Sequence, residues 1–166
     1  CDDYLVRNPQ GKVPTLQHDD FVLTESAAIL NYIDTLADGR FIPKGAKARA
    51  KYDELASFVV TELEQPLWTF GKHRFAIPEE YRVEAIFETA NWEFKKALNT
   101  LQKLVALDSA PNHYALGDSF TFADILLAQT FHWAFRFEIE VPQECLDFRD
   151  EMFKRPACVK ALARIE

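Results

Sequence analysis

Residues 13–26 decide the fold, and they read Val-Pro-Thr-Leu-Gln-His-Asp-Asp-Phe-Val-Leu-Thr-Glu-Ser. Two short apolar runs, residues 13–16 and 21–23, lie on either side of the polar residues 17–20. This pattern predicts a β-hairpin with a tight turn. A helix is predicted to begin at residues 24–26 and to end at Asp38 and Gly39, because glycine readily adopts a positive φ.

From residue 46 onward the apolar periodicity is helical, with no further strand signal. A first amphipathic stripe covers residues 52–67, and Pro66 predicts a kink near its end. A second helix is predicted to begin at Pro78 and to carry apolar residues as far as Val105. A third, after Thr121, is apolar nearly all round and is expected to be the buried centre. Two short helices are expected around residues 146–153 and after Pro156.

These elements predict an α+β to mainly α chain with two domains. The first, residues 1–40, holds the hairpin and one helix, and the second, residues 46–166, is all helical. Residues 41–45, which include Pro43 and Gly45, form the predicted linker. Two strands and one helix bury too little apolar surface to be stable alone. Another segment or another chain is therefore expected to pair with the open hairpin edge.

Composition and charge exclude several functional classes. With 48% hydrophobic residues in 166, the chain has ample apolar area for a core, which excludes intrinsic disorder. A net charge of −7 disfavours a nucleic-acid partner, and no apolar run reaches the length of a membrane span. The three cysteines are widely spaced and no signal peptide is evident, which predicts reduced thiols and a cytoplasmic location. The four histidines are scattered, so we expect no metal site.

Three motifs, met in order along the chain, carry a family resemblance. Residues 8–16 read Asn-Pro-Gln-Gly-Lys-Val-Pro-Thr-Leu, residues 23–29 Leu-Thr-Glu-Ser-Ala-Ala-Ile, and residues 117–124 Gly-Asp-Ser-Phe-Thr-Phe-Ala-Asp. Together they resemble the cytosolic glutathione S-transferase family, in its bacterial theta- and beta-like members. The resemblance covers essentially the whole chain. It implies the second half of a thioredoxin-like domain followed by the all-α C-terminal domain, and a homodimer.

The resemblance also implies a binding site for glutathione. Val13-Pro14 resembles the family's cis-proline pair, whose backbone pairs with the cysteinyl unit. Glu25 and Ser26 would hold the γ-glutamyl end, and Lys12 would contact the glycyl carboxylate. Taken without the resemblance, each has an ordinary structural explanation: a proline at a strand start, a helix N-cap and a solvated lysine.

Two further groups of residues have expected roles. Thr121 and Asp124 form a capping box at a helix start, which we assign to folding and not to catalysis. Four side chains are candidates for lining an apolar pocket that accepts a hydrophobic electrophile, although aromatic residues near a helix end are more often part of the core. They are Trp68, Phe70, His73 and Tyr114.

The implied reaction is attack of the glutathione thiolate on an electrophilic carbon, with glutathione as a substrate and no metal. In the family, the residue that activates the thiol lies near the first strand, so we expect it upstream of Cys1, which is itself too close to the motif. The 166 residues alone are therefore expected to be inactive. The alternatives are a non-catalytic interaction module, or a dehalogenase, isomerase or peroxidase relative.

Overall fold

The hairpin forms where the sequence predicts it. In the computed structural model, which describes residues 2–107 and 113–164, strand β1 (Thr15–His18) pairs antiparallel with strand β2 (Phe21–Thr24). The turn consists of Asp19 and Asp20 alone, and Asp19 has a φ of 55°. Residues 17 and 18, expected in the turn, belong to β1. The turn is thus two residues shorter than predicted. A positive φ at the first central residue is typical of two-residue hairpin turns.

Two helices flank the hairpin. Helix α2 (Ser26–Leu36) begins and ends as predicted, with Asp38 and Gly39 at φ of 59° and 66° beyond its last turn. Helix α1 (Asp2–Arg7) was not predicted, because six residues are too few for an amphipathic stripe. It lies directly before the motif at residues 8–16.

The rest of the described chain is helical. Helices α3 and α4 are joined by a π-helical turn at Val59–Leu63, and a second such turn at Lys72–Ala76 follows α4. The first turn lies just before Pro66, where the kink was predicted. The helices are α3 (Ala46–Phe58), α4 (Glu64–Gly71), α5 (Ile86–Leu104), α6 (Phe122–Arg136), α7 (Gln143–Phe153) and α8 (Pro156–Leu162). None of the described helices is long and apolar enough to cross a membrane.

Helix α6 forms the centre of the core, as its apolar composition predicts. Leu127 and Phe131 have no solvent-accessible surface, and α6 contacts α3, α4, α7 and the first π-helical turn. Phe131 meets Phe148 of α7 edge to face, with ring centroids 6.4 Å apart. On the facing helices, Leu63, Leu67 and Phe94 complete the same cluster.

The predicted start of the helix at Pro78 is wrong. Residues Glu79–Tyr81 make a single 3₁₀ turn, and α5 begins only at Ile86. The backbone N–H of Val83 donates to Nδ1 of His73 at 3.1 Å, and Arg82 donates from Nε to the carbonyl of Ile77 at 2.9 Å. These contacts hold the segment against the preceding π-helical turn. Proline and two acidic residues are a valid helix start locally, but tertiary hydrogen bonds override that preference.

The first turn of α6 is held by the buried carboxylate of Asp124. Its two oxygens accept hydrogen bonds from the N–H groups of Ala115 and Thr121, both at 2.7 Å, and from the Thr121 hydroxyl at 3.0 Å. Thr121 and Asp124 form the predicted capping box. Burial raises the pKa of the Asp124 carboxyl, and the hydrogen bonds from Ala115 and Thr121 oppose that increase. The carboxylate thus satisfies backbone donors that would otherwise be buried without an acceptor.

Replacing Asp124 with alanine tests this role. The substitution leaves the N–H groups of Ala115 and Thr121 without an acceptor, and each such loss costs about 1–3 kcal/mol. We expect Asp124→Ala to lower the free energy of unfolding by about 2–4 kcal/mol, measured by urea denaturation. The control is Asp118→Ala, because Asp118 is exposed in the preceding loop. Equal stability of the two variants would contradict the structural role of Asp124.

Candidate active site

A cavity of about 900 Å³ lies between the hairpin region and the helices, and it brings the predicted glutathione residues together. Lys12, Val13 and Pro14 line it from the loop before β1, and Glu25 and Ser26 line it from the start of α2. Residues of α4 and α6 form the opposite wall. All five residues that the family resemblance singled out therefore face one space, although they come from two separate motifs.

Glu25, immediately before α2, has an unusual backbone conformation. Its φ of 71° and ψ of 117° place a non-glycine residue in a sparsely populated region, at a cost of order 1–3 kcal/mol. Its side chain accepts a hydrogen bond from Nε2 of Gln10 at 3.1 Å. Ser26, the first residue of α2, lines the cavity beside it. Residues with such strained backbone conformations are often found at binding sites, where the surrounding structure holds them in place.

The loop that carries Lys12 is tied to α1 by side chains that the sequence analysis did not single out. The carbonyl of Lys12 accepts hydrogen bonds from the Tyr4 hydroxyl and, at 2.6 Å, from Nδ2 of Asn8. Asn8 is only 3% exposed, and its Oδ1 accepts from the N–H of Gln10 at 3.1 Å. The buried side chain of Asn8 therefore connects Lys12 to Gln10 and fixes the conformation of the loop. The signal available in the sequence was the Asn-Pro pair itself, which is typical of a turn.

The loop presents its backbone and one cation to the cavity. The peptide bond between Val13 and Pro14 is cis, as the resemblance implies, and Val13 is 84% exposed. Within the described ranges no hydrogen bond engages the main chain of Val13. The ammonium nitrogen of Lys12 lies 5.2 Å from the centroid of the Trp68 ring on α4, within cation–π range.

The helical wall of the cavity is built from two stripes of side chains. Glu64 and Trp68, four residues apart on α4, line it together with Ile125, Gln129 and Trp133 of α6, also spaced by four, and with Leu126 and Thr130. The rings of Trp68 and Trp133 are 6.2 Å apart. Residues four apart lie on one face of a helix. The two helices thus give the cavity an aromatic wall that also carries the polar residues Glu64, Gln129 and Thr130.

Of the four residues predicted to line a pocket for the electrophile, only Trp68 lines this cavity in the part of the chain that the structure describes. Phe70 packs against Phe87 and Phe137, with ring centroids 4.6 and 5.4 Å away. The ring of His73 accepts the hydrogen bond from Val83 described above.

Tyr114, the fourth of them, accepts a hydrogen bond from Arg155 at 3.2 Å and packs edge to face against Phe120. Phe70, His73 and Tyr114 thus have core or loop-fixing contacts. The aromatic partner of Trp68 in the wall is Trp133, which sequence reasoning assigned to the buried centre.

The titratable groups divide into those that can take part in chemistry at the cavity and those that cannot. Burial raises the pKa of the Cys145 thiol and of the Tyr52 hydroxyl, each to about 12, and neither lines the cavity. Both therefore stay protonated at neutral pH. Burial also raises the pKa of Glu64, which does line the cavity. Among residues 2–107 and 113–164, no cluster of His, Cys, Asp and Glu has the arrangement of a metal site.

Comparison with known proteins decides the family. The family models described as the glutathione S-transferase N-terminal domain and C-terminal domain match residues 2–35 and 64–156, respectively. Glutathione S-transferase GstA of Escherichia coli O157:H7 is 31% identical over 170 residues, which cover 98% of this chain and 78% of that protein. The chain belongs to the glutathione S-transferase family.

A solved structure and a second relative extend the comparison. The structure of a sphingomonad glutathione S-transferase complexed with glutathione superposes with a TM-score of 0.77 at 29% identity, over 98% of this chain and 78% of that one. A maleylacetoacetate isomerase of Dictyostelium discoideum is 28% identical over 141 residues, which cover 84% of this chain and 63% of that protein. The fold expected from the resemblance, a hairpin and helix of the thioredoxin-like domain followed by an all-α domain, is confirmed.

Asn8→Ala tests whether the buried amide holds the cavity loop. The variant loses the hydrogen bonds that Nδ2 donates to the Lys12 carbonyl and to Oγ1 of Thr15, and the one that Oδ1 accepts from the Gln10 N–H. Only the Tyr4 hydroxyl then still holds the Lys12 carbonyl. We expect amide hydrogen exchange in residues 10–15 to accelerate about 5- to 30-fold, since these hydrogen bonds together are worth about 1–2 kcal/mol net. Exchange in α6 should be unchanged. Asn99→Ala on the exposed face of α5 is the matched control, and similar exchange in both variants would exclude the anchoring role.

Proposed function

We propose that this cavity binds glutathione and that the enzyme joins its sulfur to an electrophilic carbon. The observation that carries the proposal is the convergence of Lys12, Val13, Pro14, Glu25 and Ser26 on one cavity with an aromatic wall. In the reaction, the thiolate attacks the carbon, a C–S bond forms, and the leaving group departs with the electron pair of the broken bond. The thiolate is the nucleophile because the thiol is a far weaker one.

The start of α2 suits the γ-glutamyl end of glutathione. The first N–H groups of a helix have no intrahelical acceptor and favour an anion, so the α-carboxylate would lie against them and the Ser26 hydroxyl. The Glu25 carboxylate would accept from the α-ammonium. The strained backbone of Glu25 directs the residue to the cavity, where Gln10 supports its side chain. This arrangement matches the charge pattern of a zwitterionic amino acid.

The loop before β1 suits the other two residues of the tripeptide. Val13 is exposed at the cavity and its main chain makes no hydrogen bond within the described ranges, so its N–H and C=O are available to pair with the cysteinyl unit as a strand edge does. Lys12 would turn its ammonium group to the glycyl carboxylate. Its place over the Trp68 ring keeps it inside the cavity.

The wall formed by α4 and α6 suits a hydrophobic electrophile. Trp68, Trp133, Ile125 and Leu126 supply apolar surface beside the glutathione residues, and an aromatic or alkyl electrophile would bury against them. Such substrates are typical of detoxification, which we propose as the biological role.

The same proposal extends to the domain boundaries, the cellular location and the oligomeric state of the enzyme. We infer a glutathione-binding domain at residues 1–40, a linker at 41–45 and a helical domain at 46–166; the two family models match on either side of the linker. We also infer a cytoplasmic homodimer. Cys145 and Cys158 are free thiols, and exposed apolar side chains such as Val60 and Trp92 offer contact area for a second subunit.

Glu25→Ala tests the γ-glutamyl site. A hydrogen bond to a charged group is worth about 1.5–3 kcal/mol, so glutathione should bind about 10- to 150-fold more weakly, as measured by calorimetry on the full-length protein. Asp20→Ala, on the exposed hairpin turn, is the control and should bind as the wild type does. Unchanged affinity in a folded Glu25→Ala variant would remove Glu25 from the site.

Turnover distinguishes the transferase from its alternatives. When the full-length protein is given 1-chloro-2,4-dinitrobenzene and glutathione, chloride should be released and the absorbance of the conjugate should increase. Binding of glutathione with no conjugation, but with isomerisation of a cis-alkene diketo acid, would favour the isomerase alternative that the Dictyostelium relative suggests. Failure to bind glutathione would favour a non-catalytic interaction module.

A further inference from the structure

Glu64 holds a position in the cavity that the glutathione residues do not explain. It lies on α4 one helical turn before Trp68, in the lining of the cavity that the start of α2 also lines. The α6 residues that line the same cavity are Ile125, Leu126, Gln129, Thr130 and Trp133, none of which carries a charge. The aromatic wall where the second substrate would bind therefore carries the Glu64 carboxylate.

Glu64 is also the one charged group of the described cavity lining with no partner. The charged lining residues are Lys12, Glu25 and Glu64. Lys12 lies over the Trp68 ring, and Glu25 accepts from Gln10. Across the described ranges, no hydrogen bond or ion pair engages the Glu64 carboxylate. A half-buried carboxylate without a donor gains from any cationic or N–H-bearing group brought next to it.

We propose that Glu64 makes the enzyme selective for the charge of the electrophile, favouring those that carry a protonated amine and disfavouring those that carry a carboxylate. The inference rests on the proposed function, because it places the second substrate against α4. Lys12 does not offset the selectivity, since the glycyl carboxylate of glutathione would occupy it. Burial raises the pKa of Glu64, a sign of the incomplete hydration that strengthens its response to a neighbouring charge.

Three S-substituted glutathiones test the inference without requiring turnover. S-benzylglutathione is neutral on its ring, and its 4-aminomethyl and 4-carboxy derivatives add one positive and one negative charge at the same place. For the full-length wild type, calorimetry should give the tightest binding for the amine and the weakest for the carboxylate, with about tenfold between neighbours. Because the effect is electrostatic, these ratios should shrink as salt increases.

The Glu64→Gln variant keeps the shape and removes the charge. In it the amine and the carboxylate should bind within about threefold of S-benzylglutathione. Glu62→Gln is the matched control, because Glu62 is exposed two residues earlier and does not line the cavity. It should retain the full wild-type order.

The outcomes separate the two proposals. If the wild type binds glutathione and S-benzylglutathione but ranks the three ligands equally, or if Glu64→Gln keeps the wild-type ranking, the charge selectivity is wrong and the proposed function stands. If the wild type binds neither compound, the proposed function fails and the inference fails with it. The wild-type ranking and its salt dependence remain informative even if the Glu64 variant does not fold.

Discussion

The carboxylate of Asp124 is the contact on which the rest of the structure depends. It anchors the buried first turn of α6 to the backbone of Ala115 and to its own N-cap, Thr121. Helix α6 contacts α3, α4 and α7 and also supplies one stripe of the cavity wall. If the N–H groups at this buried helix end had no acceptors, the free energy of unfolding would be lower by roughly several kcal/mol. The position of Gln129 and Trp133 in the cavity therefore follows from a cap several residues earlier in the helix, which has no contact with the proposed ligand.

The cavity combines two kinds of support. On the hairpin side, hydrogen bonds fix the positions of the cavity residues. Tyr4 of α1 and Asn8 hold the loop, and Gln10 holds the Glu25 side chain. On the helical side, it comes from close packing around α6. This division fits the two substrates, because a zwitterionic peptide needs donors and acceptors at fixed points, whereas an apolar electrophile needs a surface. The strain at Glu25 is tolerated because hydrogen bonding on one side and α2 on the other hold that residue.

The sequence predicted the features whose causes are local. The hairpin follows from two apolar runs on either side of a polar stretch, α2 from its boundaries at Ser26 and Gly39, and the Thr121–Asp124 box from a three-residue spacing. The five residues at the cavity came from the family resemblance, since Ser26 and Lys12 have ordinary local explanations. What could not be predicted depends on distant contacts. The start of α5 is set by His73 and Arg82, and Asn8 becomes an anchor only when α1 packs beside the loop.

The placement of Glu64 shows why such a residue escapes a sequence reading. Core positions Leu55, Val59, Leu63, Leu67 and Gly71 recur every four residues. In a regular α-helix a four-residue step advances the face by about 40°, so the stripe would drift away from the core within a few turns. The π-helical turn at Val59–Leu63 takes up more residues per turn and reverses that drift. Glu64 and Trp68 lie four residues apart within α4 and share a face as in any regular α-helix. The widened turn before them sets the direction of that face relative to the stripe on α3, and a periodicity read from the sequence alone does not show that this face lines the cavity.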